Sequence, residues 1–227
     1  MKRLPGVLSI VAMATMLLAL TACDPATIVS TPAPTASATA MPTSPPTPTP
    51  TPAAVPASVI VDGDSVSVID SAGALMIDIP FSTNPATAVA QLNGALGVDG
   101  VSTTLPATGC FHQRPQATWG GLSFIWGDDW QRAPGAQFLA SVLGPESTSG
   151  VEVTIPSGQM VGSSQADTLA GNPGAHVDDF GAWISLHYDI KSGVSGGNPD
   201  TYYGAYALID GGVLKSFASP IHYDYDC

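Results

Sequence analysis

The sequence predicts an α+β fold, an antiparallel sheet or sheets carrying two short helices. Three observations predict it. Runs of β-branched and aromatic residues with period-two alternation recur from Ser58 onward, the pattern of half-buried strands. Two short segments, one starting near Pro85 and one near Ser164, carry helix-start signals. The grammar also repeats: Ile155-Pro156-Ser157-Gly158 parallels Ile79-Pro80-Phe81-Ser82, and each leads into one of those segments. The repetition points to a tandem plan, one helix followed by three strands, with halves 59–155 and 156–227. A single irregular sheet with two helices is the alternative arrangement.

Taken in order, Asp62-Gly63-Asp64 marks a turn at the edge of the first strand. It is too short for a calcium loop and has no glutamate at the required spacing. Val66-Ser67-Val68-Ile69 and Leu75-Met76-Ile77-Asp78-Ile79 flank Asp70-Ser71-Ala72-Gly73, a turn that closes a hairpin. Asn84 as N-cap, Pro85 at the first helical position and Gly97 as stop predict a helix over 85–96, with Val89, Leu92 and Leu96 on one face. Trp119 to Trp126, Ala136 to Leu143 and Val151 to Ile155 read as strands. Ser164 with Asp167 three residues on caps a second short helix ending near Gly171. Gly181 to Ile190 sets Ala182, Ile184, Leu186, Tyr188 and Ile190 on one face. Thr201 to Ile209 follows, and Asp210-Gly211-Gly212 turns into Val213 to Ser219.

Not all of the 227 residues build this fold. Residues 1–22, with a basic Met1-Lys2-Arg3 start and an apolar Val7 to Leu20 stretch, read as a cleaved export signal. The stretch is short for the ~20 apolar residues of a membrane span. Residues 23–58 form a Pro/Thr-rich tether, with 10 prolines and 8 threonines and no charge after Asp24. Such a segment buries too little surface to offset its ordering entropy, and extended it reaches on the order of 100 Å at ~3.1 Å per residue. The remaining 169 residues, 59–227, suffice for a core that buries roughly two-thirds of the unfolded surface. The formal charge is −12, and removal of Lys2 and Arg3 leaves four basic side chains against 18 acidic, or −14. Nucleic acid and bare anionic lipid are poor partners for such a domain. Cys110 and Cys227 are the only cysteines of the domain, and in an oxidising compartment an even pair reads as a disulfide.

Several constellations bear on chemistry. Gly193-Val194-Ser195-Gly196-Gly197 matches G-x-S-x-G, but a nucleophile elbow needs a helix after the serine, and Asn198-Pro199-Asp200 reads as a hairpin loop instead. His-Tyr-Asp occurs at 187–189 and 222–224. Neighbouring strands in register would converge His187, Asp189, His222 and Asp224 into a mixed nitrogen and oxygen set acceptable to zinc or another divalent ion. The competing reading is a polar solvent face of a half-buried strand. Trp126-Gly127-Asp128-Asp129-Trp130 pairs rings with carboxylates, as sugar sites do, and equally describes a polar loop whose tryptophans fold onto the core. Trp183, Tyr202 and Tyr206 are candidate contacts for a partner, since large amphipathic rings suit interfaces; covering a second core layer is their other reading. No motif implies a cofactor.

Leu20-Thr21-Ala22-Cys23 resembles the lipobox of bacterial lipoproteins, which implies a diacylglyceryl thioether on Cys23 and membrane attachment through acyl chains. With the tether, Ile79-Pro80-Phe81-Ser82-Thr83 running into Pro85-Ala86-Thr87-Ala88-Val89, and Thr118-Trp119-Gly120-Gly121-Leu122, the chain resembles uncharacterised surface lipoproteins of high-GC Gram-positive bacteria. The tandem helix-plus-sheet plan is more remotely similar to the secreted β-lactamase inhibitor fold, whose concave sheet binds a protein through aromatic side chains. The lipobox resemblance implies a lipid-anchored protein on the outer face of the cytoplasmic membrane, and the wider resemblances bring no known activity. With display signals present and no convincing catalytic set among the residues, the domain reads as a non-enzymatic one that presents a sheet face to an envelope protein or wall ligand. An exported metal-dependent or hydrolytic enzyme using the His/Asp stripes, and a structural spacer, are the other readings.

Overall fold

A computed structural model describes residues 54–109, 112–127, 135–195 and 198–222, without the side chains of 192–195, 198–202 and 222. The chain enters as β1 (Pro56–Val61), followed by β2 (Ser65–Asp70) and β3 (Leu75–Pro80). β1 therefore starts inside the Pro-rich segment, Pro56 being tolerated as the first residue of a strand. An aspartate builds each turn. Asp62 Oδ1 accepts from the N–H groups of Asp64 and Ser65, both at 2.7 Å. Asp70 Oδ1 accepts from those of Ala72 and Ala74, both at 2.8 Å, while Gly73 takes φ 80°. A short acidic side chain thus replaces backbone partners the turn cannot supply. These strands join β8 (Glu152–Thr154) in a four-stranded sheet of order β3-β2-β1-β8, with β8 parallel to β1.

α1 (Pro85–Leu96) has the bounds its sequence predicts. Asn84 accepts from the Ala86 N–H at 3.0 Å, and Gly97 closes the helix in the left-handed region at φ 66°. It leads into β4 (Val101–Leu105), β5 (Arg114–Trp119), β6 (Leu122–Ile125) and β7 (Leu139–Val142). α2 (Gln165–Gly171) starts at Ser164, whose Oγ accepts from the Asp167 N–H at 3.1 Å. It leads into β9 (His176–Asp179), β10 (Trp183–Ser195), β11 (Asn198–Asp210) and β12 (Val213–His222).

Each helix therefore leads into four strands of one sheet, β8 after the first set returning to β1, and the three-strand plan is corrected. The sequence pattern overlooks β4 and β9, whose side chains are nearly all exposed and so lack a core alternation. It also overlooks β5 up to Thr118 and joins its last residue, Trp119, to β6, although Gly120 at φ 59° and Gly121 separate the two; a Cβ on Gly121 would stand 2.5 Å from the Gly144 carbonyl oxygen. The two meanders meet through their last strands. β7 pairs with β12, giving an eight-stranded antiparallel sheet of order β4-β5-β6-β7-β12-β11-β10-β9. One hydrophobic cluster takes in both sheets and α1, so the two halves share a core. Ile79 and Ile155, the repeated Ile-Pro residues, are both fully buried in it.

Aromatic rings bridge the layers. Phe81 and Phe138 lie 5.2 Å apart, Phe138 and Phe124 4.5 Å, and Phe124 and Trp119 5.1 Å between centroids. The buried Trp119 indole donates to Asn93 Oδ1 of α1 at 2.9 Å, the same oxygen that accepts from the Gly100 N–H at 3.0 Å. Asn93 Nδ2 donates to Asp99 at 2.9 Å. One amide thus fixes α1, the α1–β4 connection and β5 together. Replacement N93A leaves two inward N–H groups without their acceptor and is expected to lower the unfolding free energy by about 2 kcal/mol. Urea unfolding reads this as a lower midpoint at unchanged slope, and a midpoint equal to wild type would contradict the role given to Asn93.

Candidate functional site

Alternation along β10 and β11 divides the eight-stranded sheet into two unlike faces. Leu186, Tyr188, Ala205, Ala207 and Ile209 are buried in the core. The intervening residues take the other face, where strand pairing sets Trp183 across from Asp210, Ser185 from Leu208, and His187 from Tyr206. Trp183 is 38% exposed there, and Phe180, 58% exposed, stacks on it at 4.1 Å between centroids and 23° between planes. Ala182, Trp183, Tyr206, Leu208 and Asp210 line a shallow depression of about 480 Å³. A smaller and more polar depression of about 270 Å³ lies beside it, where Trp183 meets Gln165, Asp179 and Asp210. Trp183 therefore has one apolar and one polar flank, which suits a ligand of mixed character.

Beside the rings stands a titratable cluster. Asp178 on β9 reaches two imidazoles, His176 Nε2 at 3.1 Å and His187 Nε2 at 3.3 Å. His187 Nε2 also lies 2.7 Å from Ser185 Oγ, and its ring meets Tyr206 edge-on at 5.5 Å. Serine, histidine and aspartate are thus together, but serine and carboxylate address the same nitrogen. In a catalytic triad the carboxylate holds the nitrogen opposite the one that faces the serine. Ser185 is moreover 3% exposed, so no substrate carbonyl reaches its oxygen in this arrangement. Among the described residues no group of three or more His, Cys, Asp or Glu is placed to hold a metal ion.

The predicted His/Asp stripes do not converge. His187 lies on β10 opposite Tyr206 and His222 on β12 opposite Tyr203, with β11 running between them. Asp189 does not share the side of His187: it takes φ 50° at a register shift between Tyr188 and Lys191, which resets the alternation. The same bulge leaves Ile190 exposed instead of in the core face expected for it. Asp189 packs against the first turn, where a Cβ on Gly63 would stand 2.8 Å from its Cβ, and a Cβ on Gly204 2.7 Å from its carbonyl oxygen. Lys191 and Asp64 add an ion pair between β10 and that turn.

Trp183 and Tyr206 line one depression, whereas Tyr202 stands opposite Ser192 with its side chain outside the described residues. Asp224 and the cysteines Cys23, Cys110 and Cys227 lie outside them too. The G-x-S-x-G segment falls in the β10–β11 hairpin, where Ser195 pairs with Asn198. Trp126 packs on the core, as the loop reading expects, and Asp128, Asp129 and Trp130 are not described. Sequence reasoning missed Phe180, His176 and Asp178. The signal available was His176-Val177-Asp178-Asp179, an alternating polar edge strand directly before two aromatics three residues apart.

Fold and site together define an α+β domain with an open, aromatic-bearing antiparallel sheet face. No family model, curated protein or solved structure matches the chain. Among the described residues no helix is long and apolar enough to cross a membrane.

Burial holds the His187 pKa below the ordinary imidazole value, opposed by the Asp178 carboxylate and assisted by His176. Burial likewise raises the Tyr206 phenol that packs on it. An unfolded imidazole takes its proton near pH ~6.5 and the folded one only at lower pH. Between the two values the unfolded state binds more protons, so stability rises with pH. Acidification through that window is expected to destabilise the domain, and H187Q to flatten the dependence. Chemical unfolding at a series of pH values tests this; an unchanged slope in H187Q would refute it.

Proposed function

We propose that the chain is a lipid-anchored protein of the cell envelope, held at the outer face of the cytoplasmic membrane, whose domain binds an envelope protein or wall ligand and catalyses no reaction. The observation that carries the binding reading is the exposed Phe180–Trp183 stack, whose tryptophan lines a depression on a sheet face that the core leaves uncovered. Rings of this size are costly to leave in water and are enriched where partners dock. The anchor rests on Leu20-Thr21-Ala22-Cys23 directly after the apolar stretch. Acyl chains on one residue supply the two-signal attachment that a single chain does not. The Cys110–Cys227 disulfide would tie the last residue of the chain to the domain and contribute up to ~4.7 kcal/mol in the chain-entropy account.

Two measurements test this reading. The signal-processing inhibitor globomycin is expected to block maturation, and C23S to release the protein from the membrane fraction; normal processing and retention would remove the anchor. For binding, the mature chain carrying C23S is immobilised and offered envelope extract, with W183A and Phe180→Ala side by side. Partner capture is expected to fall at least about tenfold in either variant, as for a central aromatic anchor, with the melting temperature preserved. Equal capture by wild type and W183A would place the ligand elsewhere, and no capture by any of them would favour the spacer.

A further inference from the structure

We infer that two copies of this chain associate edge to edge through β4, antiparallel, with Thr103 of one copy opposite Thr103 of the other. The inference is independent of the aromatic face. Among the described residues four strands end the two sheets: β3, β8, β4 and β9. An edge strand presents unpaired N–H and C=O groups, and native proteins blunt it with charge, proline, a bulge or brevity. β3 has Asp78 within it and Pro80 at its end; β8 is three residues long and begins with Glu152; β9 carries Asp178 and Asp179. β4 has none of these devices. It reads Val-Ser-Thr-Thr-Leu, pairs with β5 from Val101↔Thr118 to Leu105↔Arg114 without a register shift, and exposes Val101 to Thr104, with Val101 at 64%.

The occupant follows from charge and from the side-chain pattern. A domain of this acidity repels its own copies wherever carboxylates face one another. The stretch Gly100 to Gly109 carries no charged residue. The flanking Asp99 is already held by Asn93, and Arg114 is the charge across from Leu105. Centred on Thr103, antiparallel self-pairing sets Val101 against Leu105, Ser102 against Thr104, and Gly100 against Pro106. Apolar meets apolar, hydroxyl meets hydroxyl, and the proline ring falls opposite a residue without a side chain. A slip of two residues one way puts Leu105 opposite Asp99, and the other way draws Pro106 into the ladder, where it has no N–H to give. The contact is isologous and closed, so it yields a dimer, not a filament.

Sedimentation equilibrium of the mature C23S chain over its soluble concentration range tests this. Wild type is expected to show monomer–dimer association. T103K and T103E each place like charges at the symmetry axis and are expected to weaken it by roughly tenfold, and their equimolar mixture to restore it. Thr103 is exposed, so both variants are expected to keep the wild-type circular dichroism spectrum. For the register, V101C is mixed with L105C and treated with a short bismaleimide. Crosslinked dimer above the wild-type background is expected in the mixture and in neither variant alone. A monomer throughout the range, an association indifferent to T103K, or crosslinking of V101C with itself would each overturn the proposal.

Discussion

The pairing of β7 with β12 governs the architecture, since it welds two four-stranded meanders into one eight-stranded sheet. A sheet that wide needs a cover for its apolar face, and the second sheet has only four strands. The chain spends that sheet, both helices and the aromatic column from Phe81 to Trp119 on one side. The opposite side must then be compatible with water. Its composition obeys the requirement, with Gln116, Thr118, Ser123 and Ser141 on β5, β6 and β7 giving way to the His, Asp and aromatic residues of β9 to β11. The candidate site is thus a consequence of unequal sheet sizes: where the cover runs out, side-chain chemistry is free to vary.

How much of this could be read beforehand depended on whether a segment reports its own surroundings. α1 and both N-caps were legible because capping is local: Asn84, Pro85, Gly97, Ser164 and Asp167 act on backbone groups within one turn. The Asp70 turn was legible for the same reason. β4 and β9 were not, because an edge strand with few buried side chains has no hydrophobic period to read. The β5–β6 turn was hidden because Gly120 and Gly121 occupy so little of the run from Trp119 to Trp126 that it reads as one strand, which left the rest of β5 unread. In the site, Trp183 and Tyr206 were found from their type and place on a strand. Their companions required tertiary knowledge: β9 must first be known to lie beside β10 before His176 and Asp178 can be set next to His187.

The failure of the His/Asp stripes has a physical cause of the same kind. Alternation predicts facing only while the strand stays regular, and Asp189 is where β10 stops being regular. The bulge is not a defect of the sheet. It brings the β10 backbone against Gly63 and Gly204, positions where a methyl group would collide, and it sets Lys191 toward Asp64. A residue that looks like half of a ligand pair is instead the clasp between the two sheets.

The entry of the chain at β1 has a mechanical meaning. β1 is not an edge; it is flanked by β2 on one side and β8 on the other. A pull on the N-terminal segment along the strand axis therefore loads two ladders at once and in shear, so that many hydrogen bonds resist together instead of parting singly as in an unzipped hairpin. Whatever strains the connection before Pro56, the domain meets it with the strand that is held on both sides.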